Sequence, residues 1–188
     1  MNVYENCPVL ENDHFRLRLV QEGDAEELLR VYSDTDAVPL FNSDNCHGDD
    51  FHYSTLARML EGIRMWLWSY EHGWFVRWSV VELASGQAVG TMELCRREGE
   101  NCCILRLDLR SDYERKTAIR SLLGLILPEA EALFGCASVI TKAIPKAAVR
   151  RETLEEMGFV PLETPVLGSD GTCYWDYFTI SVEKICTM

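Results

Sequence analysis

Apolar and polar residues alternate through F-R-L-R-L-V, Phe15 to Val20, the period of a strand with one face buried. The next segment, D-A-E-E-L-L-R-V-Y, changes to helical spacing, with Asp24 at the N-cap and Glu27 three residues on, as in a capping box. Residues 34–53 are rich in Asp, Asn, Ser and Gly and predict a loop. Leu56, Met59, Leu60, Ile63 and Leu67 then recur at helical intervals, predicting a helix from Ser54 to His72 that Gly73 ends. F-V-R-W-S-V-V-E and A-V-G-T-M-E-L-C flank the turn A-S-G-Q and predict a hairpin. C-C-I-L-R-L-D-L, ending at Leu109, predicts the next strand.

A helix is predicted from Lys116 to Phe134, with Pro128 inside it. Proline lacks an N–H and crowds the carbonyl four residues back, here that of Gly124, so a kink or break is expected there. Ala137 to Ala143 reads as a strand, Lys146 to Met157 as a helix and Phe159 to Glu163 as a short strand. The chain closes with C-Y-W-D-Y-F-T-I-S-V, read as one long strand with Phe178, Ile180 and Val182 on one face and Tyr177, Thr179 and Ser181 on the other. The order β-α-α-β-β-β-α-β-α-β-β predicts an α/β (α+β) fold, a mixed sheet with helices on both faces. No repeat or linker divides the chain, so one domain over residues 1–188 is expected.

Bulk properties narrow the function. Thirty acidic residues against eighteen basic give a net charge of −12, a field that opposes nucleic acid and anionic membrane and favours cationic or neutral partners. No apolar run reaches the roughly 18 residues of a membrane span. The N-terminal M-N-V-Y-E-N-C-P lacks the basic start and apolar core of a signal peptide, so a cytoplasmic location is expected. The eight cysteines, Cys7, Cys46, Cys95, Cys102, Cys103, Cys136, Cys173 and Cys186, form no C-x-x-C pair and read as reduced thiols; Cys95, Cys102, Cys103, Cys136 and Cys173 lie in or beside apolar strand-like runs and read as small hydrophobes.

Two stretches carry the candidate chemistry. In L-D-L-R-S-D-Y-E-R-K-T-A-I-R-S-L-L, Leu107 to Leu123, a strand passes through a basic turn into an amphipathic helix. The first helical N–H groups are left unpaired at the positive end of the helix dipole, ready for phosphate. In T-L-E-E-M-G-F, Thr153 to Phe159, a helix stops at a glycine before a strand.

Together with the element order, these stretches resemble the GNAT acetyltransferase superfamily over nearly the whole chain. V-G-T-M-E-L, the long second helix and the aromatic C-terminal strand look most like the branch that acetylates ribosomal-protein N-termini. The resemblance implies acetyl-CoA as cofactor and a sheet that splays between Cys102–Leu109 and Ala137–Ala143. It implies that the pantetheine arm lies along Leu107 and Leu109. The family's phosphate turn, Gln/Arg-x-x-Gly-x-Gly/Ala, here reads Glu114-Arg115-Lys116-Thr117-Ala118-Ile119, so Thr117 and Ile119 replace glycines and are expected to crowd a pyrophosphate, Ile119 more. Arg115, Lys116 and Arg120 supply three positive charges that can hold phosphate, or can pair with Asp112 or Glu114. Ala147, Arg150 and Leu154 stand where the family often has Asn, Ser and Tyr.

Amide-forming transfer needs a neutral amine and a proton for the leaving thiolate. Glu93 and Asp108 are the alternative bases, each equally able to face solvent, because strand alternation leaves the face open. Tyr174 and Tyr177 are candidate acids or pocket walls, Tyr177 foremost, and equally good packing residues. Cys46, His47, Asp49, Asp50 and His52 form a polar knot that fits no zinc spacing and reads as a solvated loop. Trp66, Trp68, Tyr70 and Trp74 read as packing at the end of the second helix. Two functions stay open. One is an acetyl-CoA-dependent N-acetyltransferase for a small amine or peptide N-terminus; the other is a GNAT-like ligand-binding or interaction module that has lost normal acetyl-CoA binding. Either is expected to be a monomer or homodimer without nucleic-acid or membrane partners.

Overall fold

Three largely buried strands form the middle of the sheet, where both faces are covered. These are β3 (Val76–Glu82), β4 (Ala88–Arg96) and β5 (Cys102–Leu109), paired antiparallel in sequence order. The computed structural model describes residues 2–97 and 99–185, so Cys186 lies outside the described residues. On one side of this centre lie β1 (Leu10–Glu11) and β2 (Phe15–Leu19); on the other lie β6 (Ser138–Lys142), β10 (Tyr177–Ser181) and β7 (Val160–Pro161). The eight-stranded order is β1-β2-β3-β4-β5-β6-β10-β7, with β5 and β6 parallel. A separate ribbon pairs β8 (Val166–Leu167) with β9 (Cys173–Tyr174).

Helices cover both faces, as the element order predicts. On one face α3 (Lys116–Ile126), α4 (Ala130–Phe134) and α5 (Ala148–Glu156) bury Ile119, Leu122, Ile126 and Leu154 against Leu94, Leu105, Leu107 and Phe178. On the other, α1 (Ala25–Tyr32) and α2 (Leu56–Glu71) bury Leu28, Tyr32, Met59, Ile63 and Trp66. A short α6 (Val182–Ile185) ends the described chain. Among the described residues, no helix is long and apolar enough to cross a membrane.

Gly90 fixes the approach of β4 to β5. A Cβ built there would meet the Asp108 carbonyl oxygen at 2.3 Å, so only glycine allows this register, with Gly90 opposite Leu109.

Pro128 divides the predicted Lys116–Phe134 helix into α3, a 3-10 turn at Leu127–Glu129 and α4. Several local expectations are corrected. Asp24 and Glu27 form no capping box at α1: Asp24 is buried and accepts from Arg18, Ser79 and the Gln21 N–H, while Glu27 accepts from the Ala88 N–H at 2.6 Å. The final strand is two, because Asp176 takes a left-handed φ of 66° between β9 and β10. Val182 begins α6, yet it faces the same core as Phe178 and Ile180, as alternation predicts. Trp68 and Trp74 are exposed and pack on each other edge-to-face at 4.7 Å, whereas Trp66 is buried. Cys173 is likewise exposed rather than packed in a core.

Candidate active site

Two features of the sheet meet at β5. The first is the splay. β5 pairs with β6 only from Cys102↔Ser138 to Leu105↔Thr141, and the segment from Arg106 to Leu109 then parts from it. The second is a row of charges inside the sheet. Arg77, Glu93 and Arg106 stand side by side on β3, β4 and β5, in the registers Arg77↔Glu93 and Glu93↔Arg106. Charges on central strands survive only when paired. The Arg77 guanidinium donates to Glu93 at 3.0 and 2.5 Å, and Arg106 donates to its other oxygen at 2.5 Å. Arg77 also stacks on Trp66 at 4.2 Å and reaches the Tyr32 hydroxyl at 2.9 Å.

This places Glu93 in the wall of a cavity of about 590 Å³ between α2, β4, β5 and the β8–β9 ribbon. Burial alone would raise the Glu93 carboxyl, but Arg77 and Arg106 outweigh it and hold it below the ordinary range. It is a fixed negative charge with little tendency to take a proton. Asp108 points into the same layer, 1% exposed, and accepts from the Tyr32 hydroxyl at 2.9 Å. Burial pushes its carboxyl up, against the pull of Arg77 and Tyr32, and its Oδ1 has no partner among the described residues. Asp108 does not line the cavity.

Tyr177 does line it, at the end of β10 opposite Lys142. Its hydroxyl accepts from Asn42 at 3.1 Å and donates to Asp44 at 3.1 Å; burial, then Asp44, push its pKa up. Asp44 also binds the Lys142 ammonium at 2.6 Å through both oxygens. Tyr174 lies nearby and its hydroxyl accepts from the Asn45 N–H. The loop that carries Asp44 is strained: Asn45, His47 and Phe51 have φ of 59°, 53° and 59°, and all three line the cavity. Of the polar knot, Asp49 is tied to Arg58 and Tyr53, and no group of three His, Cys, Asp or Glu among the described residues could hold a metal ion.

The phosphate turn differs from the expectation at one decisive place. Ile119 is fully buried in the core beneath α3, so it does not crowd the turn; the fourth residue after the N-cap Arg115 faces inward on this helix. Thr117 is exposed and Ala118 buried. Leu107 and Leu109 send their side chains into the same core from the splayed segment. The N–H groups of Lys116, Thr117 and Ala118 precede the first helical bond, Ile119 N–H to the Arg115 carbonyl, and have no partner among the described residues. The cations are engaged elsewhere. Arg115 lies over the Tyr113 ring; Lys116 binds Glu152 at 2.6 Å and Glu156 at 2.8 Å; Arg120 binds Glu156 at 2.7 Å. Neither Asp112 nor Glu114 takes them: Asp112 pairs with Arg110, and Glu114 with Arg150 through two bonds of 2.7 Å.

No family model matches the chain, and no curated protein matches it. Solved structures do. A GNAT-family acetyltransferase from Bacillus anthracis superposes with a TM-score of 0.71 at 13% identity, over 94% of this chain and 99% of that one. The chain has the GNAT fold. The ribosomal-protein-S5-alanine acetyltransferase of Vibrio fischeri gives 0.68 at 16% identity, over 93% and 95%. The spermidine N-acetyltransferase of Vibrio cholerae, in complex with CoA and spermine, gives 0.69 at 14% identity, over 93% and 99%.

Arg77, Arg106, Asp44 and Lys142 are site residues that pattern reading passes over. The signal for the two arginines is a charge inside an apolar strand: Arg77 between Val76 and Trp78, and Arg106 between Leu105 and Leu107. Aligning the hairpin across its turn brings Arg77 opposite Glu93.

Proposed function

We propose that the protein is an N-acetyltransferase that acts on the amine of a small molecule or a peptide N-terminus held in the 590 Å³ cavity. The observation that carries this reading is the parting of β5 from β6 after Leu105, beside a helix start whose first N–H groups have no partner among the described residues. The residues there fit a phosphate-bearing cofactor. Ile119 is turned away, the N–H groups of Lys116, Thr117 and Ala118 can donate, and Arg115, Lys116 and Arg120 lie in the same turn and first helical turn, paired with Tyr113, Glu152 and Glu156. Acetyl-CoA, when bound, supplies the acetyl thioester. The Arg106–Leu109 segment would hold its pantetheine arm.

On the cavity side, Tyr177 is placed to act as proton donor by its position in the wall, although burial and Asp44 raise its pKa and make it a weaker acid. Glu93 suits a fixed counter-charge that orders Arg77 and Arg106 in the wall. The amine would then lose its proton to water in the cavity. A single titration decides the matter: acetyl-CoA is added to the native protein in a calorimeter. Saturable binding followed by acetyl transfer to a panel of amines supports the enzyme.

A second reading has its own observation. The turn position where the family carries Gln or Arg holds Glu114, buried against Arg150. A carboxylate there favours a GNAT-like ligand-binding module without normal acetyl-CoA binding. Absence of calorimetric binding at millimolar acetyl-CoA would select it.

A further inference from the structure

The chain carries a net charge of −12, yet the spare hydrogen-bonding capacity of the cavity wall lies in donors. The three carboxylates that line the cavity are all engaged. Asp44 is held by Lys142 and Tyr177, Asp49 by Arg58 and Tyr53, and Glu93 by Arg77 and Arg106. Three buried side-chain polar atoms lack a partner among the described residues. Two of them, Trp66 Nε1 and Arg106 Nε, are donors on residues that line the cavity; the third, Asp108 Oδ1, is on a residue that does not. Trp66 is 1% exposed and carries the Arg77 guanidinium over its ring. Buried donors without an acceptor are costly, and two on one wall mark a place for a ligand's oxygens.

Arg106 shows where those oxygens go. Its Nη1 donates to Glu93. The other edge, Nε with Nη2, is the one that grips a carboxylate through two parallel bonds. That edge meets a single neutral group, the Asp44 carbonyl, 2.8 Å from Nη2. The carbonyl belongs to the strained loop, directly before Asn45 with its φ of 59°. Arg106 is also the first residue of β5 beyond the last pair with β6. The α-nitrogen of an amino acid is two bonds from its carboxylate carbon, so a carboxylate held here sets its amine at the splay. Phe51, Phe75, Ile104 and Val166 supply apolar wall for the rest of such a molecule.

We propose that the acceptor is an α-amino acid with an aromatic or large aliphatic side chain, its carboxylate gripped by the Nε–Nη2 edge of Arg106 in place of the Asp44 carbonyl. The proposal rests on the N-acetyltransferase reading for the fate of the amine, and not for the binding of the carboxylate. In that reaction the N–C bond forms as the thioester C–S bond breaks. The ammonium loses two protons, one to water and one, in net terms, to the departing thiolate, which gives the N-acetyl amino acid and coenzyme A. A polyamine is disfavoured, because each carboxylate on the wall already has its cation.

The test titrates L-phenylalanine, L-phenylalaninamide and spermidine into the native protein by calorimetry, with and without coenzyme A. The acid and the amide share ring and amine and differ in the carboxylate alone. The acid is expected to bind about tenfold more tightly than the amide, or better, and spermidine no more tightly than the amide. Arg106→Gln leaves Glu93 held by Arg77. In that variant, once seen to melt cooperatively, the acid should fall to the affinity of the amide while the amide is unchanged. If the variant does not fold, the acid-to-amide ratio of the native protein decides alone. Equal affinities, a preference for the amide or spermidine, or no binding of any of the three would overturn the carboxylate grip. A folded Arg106→Gln protein that still prefers the acid would overturn the assignment to Arg106. Release of the coenzyme A thiol from acetyl-CoA is read separately. Preference for the acid without release would leave the grip standing and overturn the acetyltransferase reading. Release with the amide as readily as with the acid would overturn the grip alone.

Discussion

The Glu114 carboxylate and the Arg150 guanidinium face each other through two 2.7 Å hydrogen bonds, one from Nε and one from Nη2, with both side chains nearly out of water. The pair ties the turn before α3 to the first turn of α5. Removing one partner of such a pair strands the other charge, at a cost of about 3–5 kcal/mol, whereas replacing both by apolar groups of similar volume is close to neutral. Glu114→Ala is therefore expected to be strongly destabilising in urea denaturation. Glu114→Leu with Arg150→Met is expected to lie nearer the native protein than Glu114→Ala alone. A double variant as unstable as the single one would mean that the charges themselves hold the two helices.

Glu93 carries the same logic inside the sheet, with two arginines on one carboxylate. Glu93→Gln keeps the shape and removes the charge, leaving Arg77 and Arg106 less than fully compensated. A loss of about 3–5 kcal/mol is expected, read as a fall in Tm of roughly 10 °C. The pH sign follows from the depressed carboxyl. Its stabilising contribution is present above the unfolded value of about 4.3 and is lost as pH falls towards the folded value. The native protein should thus lose Tm faster than Glu93→Gln on acidification below about pH 4.5. Parallel acid limbs for the two proteins would contradict this.

The element order and the helix break follow from local rules that the chain obeys, whereas the splay is what the family resemblance implies. Pro128 lacks the N–H that would continue α3, and the apolar runs of β3 to β5 can only be central. The site is less legible, for a physical reason. Alternation tells that Glu93 and Asp108 sit on strands, but not that Arg77 and Arg106 come from neighbouring strands to neutralise Glu93; that needs register across three strands. Ile119 departs from expectation for the opposite reason. Its place in the phosphate motif suggests contact with ligand, whereas its place on the helix face decides that it is core.

The two motif positions should therefore respond differently to glycine. Ile119→Gly removes a fully buried side chain and adds a helix glycine. The cost is about 3–5 kcal/mol by cavity formation and backbone freedom, without opening the phosphate turn. Thr117→Gly acts at an exposed position in the first turn, at about 0.5–1 kcal/mol or less. Coenzyme A affinity should rise for Thr117→Gly only. Tighter binding by a folded Ile119→Gly protein would show that the turn rearranges on ligand entry.

If Tyr177 gives the departing thiolate its proton, Tyr177→Phe should lower kcat by about a hundredfold and leave coenzyme A affinity unchanged. The lost hydroxyl touches Asn42 and Asp44, whereas the phosphate turn is held by other residues. The folded state of the variant is checked by its melting curve. An unchanged kcat would make Tyr177 a wall of the cavity and nothing more.

Asp108 gives the final prediction, and its sign is opposite to that of Glu93. Burial raises its folded pKa, while Arg77, Tyr32 and Arg150 oppose the rise and Glu93 adds to it. Between the unfolded value of about 3.9 and the raised folded value, the native state keeps a proton that the unfolded chain has released. The contribution of Asp108 is therefore fully present below about pH 4 and is lost as pH rises through the folded value. The amide introduced by Asp108→Asn cannot ionise, yet it keeps the shape and can still accept from the Tyr32 hydroxyl. The difference in Tm between Asp108→Asn and the native protein should move in favour of the variant from about pH 4 to about pH 8. Titration of Glu93 is common to both proteins and largely cancels in the difference. A difference that stays flat, or moves in favour of the native protein, would mean that Arg77 and Arg150 hold the Asp108 carboxylate charged despite its burial.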